Sequence, residues 1–225
     1  FLEELRMLEE INNEYTSKDR RIITKDWENE IKQLKRRKDL CLSNRIGPLL
    51  INIQLKMARL KTYYVPRYYV HNLCRVSNGI TVTLKKEGGM ITPETHNEIY
   101  LTELERLVKQ AYIPIQNDLT IIEIMNGYEN YFMNPCLASY IEYEDFALVC
   151  GWTQKTKEIE NALDIVYQKL RLWPEERYFA DEGGFKKWFT DLEKRVWDGE
   201  ALNNVFRLEL NKHKLEKLPE RRIIF

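Results

Sequence analysis

The side chains best able to do chemistry in this chain of 225 residues fall into three small groups. The first is the carboxylate run Glu142-Tyr143-Glu144-Asp145. On a β-strand, Glu142 and Glu144 would project from one face and share a proton or a divalent cation. The same run also serves as a charged strand edge that discourages sheet-to-sheet association. The edge reading is preferred, because no adjacent lysine completes a nuclease-like set.

The second group is the histidines and cysteines. His71, His96 and His213 are far apart in sequence, so a metal site would need tertiary assembly. His96 opens a predicted helix and reads as solvent-facing. Cys41, Cys74, Cys136 and Cys150 form no CxxC pair, and no Asn-x-Ser/Thr sequon occurs. Both facts fit an intracellular protein, cytoplasmic or nuclear, better than a disulfide-stapled secreted one. Neither a catalytic residue set nor a metal or cofactor site is expected. The phosphate-loop, dinucleotide, zinc-protease and nucleophile-elbow motifs are all missing.

The third group rises above the background. Arg59, Lys61, Tyr64, Arg67, Tyr68, Tyr69, His71 and Arg75 interleave cations with ring faces. Bases stack on such rings at about 1–3 kcal/mol each while arginine and lysine follow the phosphates. Tyrosine and arginine are equally the residues of protein–protein hot spots. In a third reading the segment packs against the acidic stretch that follows it. Consecutive tyrosines on a strand point to opposite faces, so at most half line any one groove.

Charge supports that concern. The chain has 35 basic and 35 acidic residues, with 44% apolar and 12% aromatic residues. Disorder and a polyelectrolyte tail are therefore excluded. Yet residues 40–86 carry eight basic side chains and no acid, while residues 87–154 carry eleven acids against Arg106 and Lys109. No apolar run is long enough to span a bilayer. The first residue is Phe1 rather than Met, which reads as part of something longer.

The elements that must position these groups follow from periodicity. Leu5, Leu8 and Asn12, then Trp27, Ile31 and Leu34, repeat at heptad-like spacing and predict coiled-coil-type helices. The second of these helices starts near Thr24 and runs to Cys41. Residues 1–47 thus read as a helical hairpin or docking arm. Residues 48–153 read as an α+β core module, with Pro48 opening a helix over 49–65. A β-hairpin lies near 68–86, turned at Ser77-Asn78-Gly79. A helix runs from Thr92-Pro93 to about Ala111, and Tyr140–Val149 reads either as a short strand or as the approach to a turn at Gly151. Residues 154–225 read as helices packed on that core.

The fold class expected is α+β, predominantly helical with a small embedded β-hairpin or sheet. The function expected is a non-enzymatic protein–protein interaction or scaffold subunit of a larger assembly, able to oligomerise and independent of membranes. The alternative is binding of RNA or another single-stranded nucleic acid through residues 56–75. An enzyme with a dispersed site using Glu142, Glu144 or His71 ranks last.

Overall fold

The computed structural model describes residues 14–115, 118–134 and 138–224. Helix α1 (Ser17–Glu30) begins at a capping box in which the Thr16 hydroxyl accepts from the Asp19 amide and the Asp19 carboxylate accepts from the Thr16 amide. Five strands follow: β1 (Lys35–Lys38), β2 (Cys41–Ile46), β3 (Leu49–Met57), β4 (Tyr64–Asn72) and β5 (Thr83–Glu87). They form an antiparallel sheet in that spatial order. The helical half comprises α2 (His96–Gln110), α3 (Ile121–Phe132), α4 (Tyr140–Thr153), α5 (Thr156–Leu170), the short α6 (Glu175–Tyr178), α7 (Phe185–Trp197) and α8 (Gly199–His213). Strand β6 (Leu119–Thr120) and the tail strands β7 (Glu220–Arg221) and β8 (Ile223–Ile224) complete the fold. It is α+β, as the sequence implies, with the embedded β-structure a sheet of five antiparallel strands joined by a short parallel one.

Three expectations need correction. The second heptad-like run ends as a helix at Glu30, and residues 35–46 are strands. Four successive cations, Lys35 to Lys38, repel along a helix face, whereas a strand sends alternate ones to opposite sides. Trp27, Ile31 and Leu34 are nonetheless buried, in the chain's own core, with Trp27 against Tyr100 of the helix His96–Gln110. Leu5, Leu8 and Asn12 lie outside the described residues.

Residues 49–57 are a strand, not a helix. Gly47-Pro48 is the two-residue turn of the β2–β3 hairpin, with Ile46 opposite Leu49 and Gly47 at φ +51°. Leu49, Ile51, Ile53 and Leu55 face the main core, while Leu50 faces the other side with Leu73 and Leu215. The hairpin expected near 68–86 exists as β4 and β5, but the strands end at Asn72 and resume at Thr83, so residues 73–82 form a long connection in place of the tight Ser77-Asn78-Gly79 turn.

Residues 140–149 are helix α4, not a strand. Ser139 and Glu142 form its N-terminal capping box, the Ser139 amide donating to Glu142 Oε2 at 2.9 Å. Every residue from Glu142 to Gly151 is buried. A helix surrounded on all sides has no polar stripe, so helical periodicity is invisible in its sequence.

One hydrophobic cluster runs from Tyr15 to Ile223 and draws on residues from all three segments delimited in the sequence. Gly151 lies where α4 meets the α7–α8 junction. A Cβ there would stand 2.6 Å from the Val196 carbonyl oxygen. Gly151→Ala is expected to lower stability by about 1–3 kcal/mol in urea unfolding. Gly79→Ala, in open space, should stay within about 0.5 kcal/mol of the parent. Equal midpoints for the two variants would contradict the close approach.

Candidate functional site

Strand alternation sorts the basic–aromatic segment by face. Tyr64 and Tyr68, on β4, point into the main core and are fully buried. Trp27 donates its Nε1–H to the Tyr64 hydroxyl at 3.1 Å. That hydroxyl lies 2.8 Å from His96 Nδ1, and His96 Nε2 lies 3.1 Å from Asp26 Oδ2. Having accepted from Trp27, Tyr64 donates to His96, which leaves Nε2–H to donate to Asp26. His96 is thus buried between α1, β4 and α2, not solvent-facing as the sequence implied. The order Asp–His–Tyr resembles a catalytic relay. Burial pushes the Tyr64 hydroxyl far above its ordinary pKa, so it keeps its proton and ties α1, β4 and α2 together. Tyr68 is likewise tied, donating to the Ile113 carbonyl and accepting from the Ile113 amide, both at 3.1 Å.

Tyr69 and His71 lie on the other face of β4 and are also buried. Arg67 reaches Glu87 at 2.5 Å, and the Arg75 guanidinium reaches Asp145 at 3.4 Å. These are contacts between the basic stretch and the acidic stretch that follows it. Arg59 and Lys61 sit exposed in the β3–β4 connection, with Lys61 3.9 Å from Glu14. The eight residues singled out in the sequence therefore do not form one surface. Four are core, two are paired inward and two remain in solvent.

The carboxylate run is dispersed too. Glu142 caps α4, Glu144 meets Arg195 at 2.5 Å, and Asp145 faces Arg75, so the three do not converge. Beside them is a cleft of about 280 Å³ bordered by Cys74, Arg75, Glu144 and Arg195. Burial pushes the Asp145 carboxyl up to about 8, against the pull of Arg75. The guanidinium contacts, at 3.4 and 3.5 Å, are too long to offset full desolvation.

Two open clefts remain. One of about 330 Å³ lies between the end of α1 and helix α2, floored by Ile31, Leu101, Leu104 and Val108. Glu30, Glu105 and Lys109 rim it. The other, of about 300 Å³, lies at the loop end of the β3–β4 hairpin between Lys56, Arg59, Tyr63 and Arg67, with Glu87 at its border.

A third assembly is closed. His71, Glu209 and His213 bring their donor atoms within 4.8 Å of one another. Thr81 donates its amide to His71 Nδ1 at 3.0 Å, and His213 Nε2 lies 3.2 Å from Glu209 Oε2. The rings of His71 and His213 meet edge to face, with centroids 5.8 Å apart. Burial, then the neighbouring His213, drives the His71 pKa down to about 4. The spacing of Glu209 and His213, four apart on a predicted helix, is a signal the sequence carries. Nothing in the sequence points from them to His71.

Comparison with protein-family models, with curated proteins and with solved structures returns no match to this chain. Among the described residues, no helix is long and apolar enough to cross a membrane.

The buried Asp145 sets a pH dependence with a definite sign. Its folded pKa lies above the unfolded value of about 3.9, so the native state holds the extra proton between about pH 4 and pH 8. The associated stability is complete below pH 4 and is lost as pH rises through 8, by about 5 kcal/mol at most. Unfolding free energies of the parent and Asp145→Asn, measured across that range, should diverge with rising pH in favour of the variant. Parallel curves would remove Asp145 as the titrating group.

Proposed function

We propose that this chain is a non-enzymatic protein-interaction module, a subunit of a larger intracellular assembly, and that it receives a partner in the groove between α1 and α2. The observation that carries the reading is the make-up of that groove. Leu101 is 43% exposed above a floor formed by Leu104 and Ile31, which are almost wholly buried. Apolar floor and charged rim are the features by which an amphipathic helix is held, its apolar side chains inserted and its charges matched at the edge. Glu30 and Glu105 favour a partner segment with basic residues flanking its apolar ones. Cys41, Cys74 and Cys150 are buried free thiols, in keeping with a reducing compartment.

Leu101→Glu tests the reading with little risk to the fold, since a surface substitution of this kind shifts stability by about 0.5 kcal/mol or less. The parent should retain discrete partners from native extract, and the variant should lose them by at least about tenfold at unchanged melting temperature. A parent that stays monomeric by light scattering and captures nothing, or a variant with the same captured set, sinks the proposal.

A second reading is supported by the hairpin cleft, which keeps Lys56, Arg59 and Tyr63 together at the solvent edge. Three such groups suit a short single-stranded nucleic acid, with the ring under a base and the cations on phosphates. Affinity for an RNA oligonucleotide should then fall steeply as salt rises and be lost in Arg59→Glu. Absence of binding at low salt eliminates it.

A further inference from the structure

We propose that His71, Glu209 and His213 form a binding site for a divalent transition-metal ion, zinc being the natural candidate. The three residues come from a sheet strand and from the last turns of α8. Glu209 and His213, at i and i+4, share one face of that helix, and the face is turned onto β4. His71 and Glu209 are 0% and 3% exposed, so the donors are held within the protein. The Nε2 of His71 has no hydrogen-bond partner among the described residues, though it is enclosed with the other two donors. Two imidazoles and one carboxylate are a ligand set that zinc accepts while keeping a fourth position open.

The surrounding contacts define how the ion enters. Lys212 holds Glu209 Oε1 at 3.2 Å, which leaves Oε2, the oxygen beside His213, as the metal-facing one. Ser77 Oγ donates to that same oxygen at 3.3 Å and supplies an outer support for it. The Thr81 amide, by donating to His71 Nδ1, keeps the imidazole proton on Nε2. Ligation through Nε2 moves this proton to Nδ1, so the Thr81 contact breaks as the metal bond forms. Thr81 belongs to the connection between β4 and β5, outside any strand ladder, and is able to yield. The donors also have to draw together from their present spacing, since tetrahedral ligands at about 2.0–2.1 Å from the ion sit closer to one another.

The experiment uses the full chain, stripped with chelator and titrated with zinc by calorimetry, with cobalt absorption as a second readout. One ion per chain is expected to bind, with a d–d spectrum of tetrahedral intensity. His213→Gln, on the partly exposed side of the cluster, and Glu209→Gln should each weaken binding by more than the roughly 10–100-fold that loss of an outer-shell partner costs. Circular dichroism identifies any variant that fails to fold, and the parent then decides alone. Its Thr81 amide resonance should shift on metal addition because the Nδ1 contact is broken. A parent that binds no metal, a His213→Gln variant that binds as tightly as the parent, or an unmoved Thr81 amide would each overturn the site.

Discussion

A helix with no solvent-facing side imposes a demand on everything around it, and α4 is such a helix. Each polar group it carries must be answered from within the protein, because burying an unanswered charge costs several kcal/mol. Glu142 is answered by its own cap and Glu144 by Arg195 of α7, while Asp145, which Arg75 beyond β4 reaches only at 3.4 Å, meets its burial by keeping its proton. The Asn72 side-chain amide donates to the Asp145 carbonyl at 3.0 Å, joining the end of β4 to the middle of the helix. The acidic stretch is in part the complement of the basic stretch before it, as the self-packing reading of the sequence has it. Arg67 with Glu87 and Arg75 with Asp145 are the points of closure.

The sheet has two dissimilar faces. Its inner face is a wall of Leu42, Ile46, Leu49, Ile51, Ile53, Tyr68 and Val70 against the helices. The opposite face of β2, β3 and β4 carries three rows in register: Cys41, Gln54 and Arg67; Ser43, Asn52 and Tyr69; Arg45, Leu50 and His71. Leu50 is the one aliphatic among these nine positions. Ser43 donates to Asn52 at 2.7 Å, and Arg37 of β1 reaches both Ser43 and Cys41 at 3.3 Å. Helix α8 and the following turn cover the end nearest Leu50, where Leu215 packs and Phe206 lies under Arg45. A polar sheet face closed at one end by a helix is what brings Glu209 and His213 to His71.

How far this was legible depends on whether the physical cause of an element is local. The β4–β5 hairpin, α5, α7 and α8 have amphipathic or turn patterns confined to their own residues, and these were readable. Helix α4 was not, because it is buried all round and its only helical signal is the Ser139–Glu142 cap. Residues 49–57 carry both a helical and a strand pattern. What decides between them is Gly47 at positive φ, a backbone property to which Pro48 gave the opposite cue. The basic–aromatic segment was conspicuous as composition, but composition does not say which ring faces inward. Strand phase divides it, and that phase is fixed by pairing with β3. The Asp26–His96–Tyr64 tie and the approach of His71 to α8 join residues 32 to 142 positions apart, for which one sequence carries no signal.

The tail strands bear on how the chain reaches this state. Glu220 and Arg221 add in parallel to β2, and Ile223 and Ile224 pair with β6. Arg45 meets Glu220 across 175 positions, and Asn44 accepts from Arg221 across 177. Residues 220–224 leave the ribosome after every strand they pair with. Until they do, the outer half of β2 beyond β1 presents an open edge, and Gly47 lacks the Ile223 side chain that packs on it. Such distant pairings are slow to form, and exposed strand edges during that wait invite association with other chains. Misassembly is therefore most to be expected in the interval before residues 220–224 dock on β2 and β6.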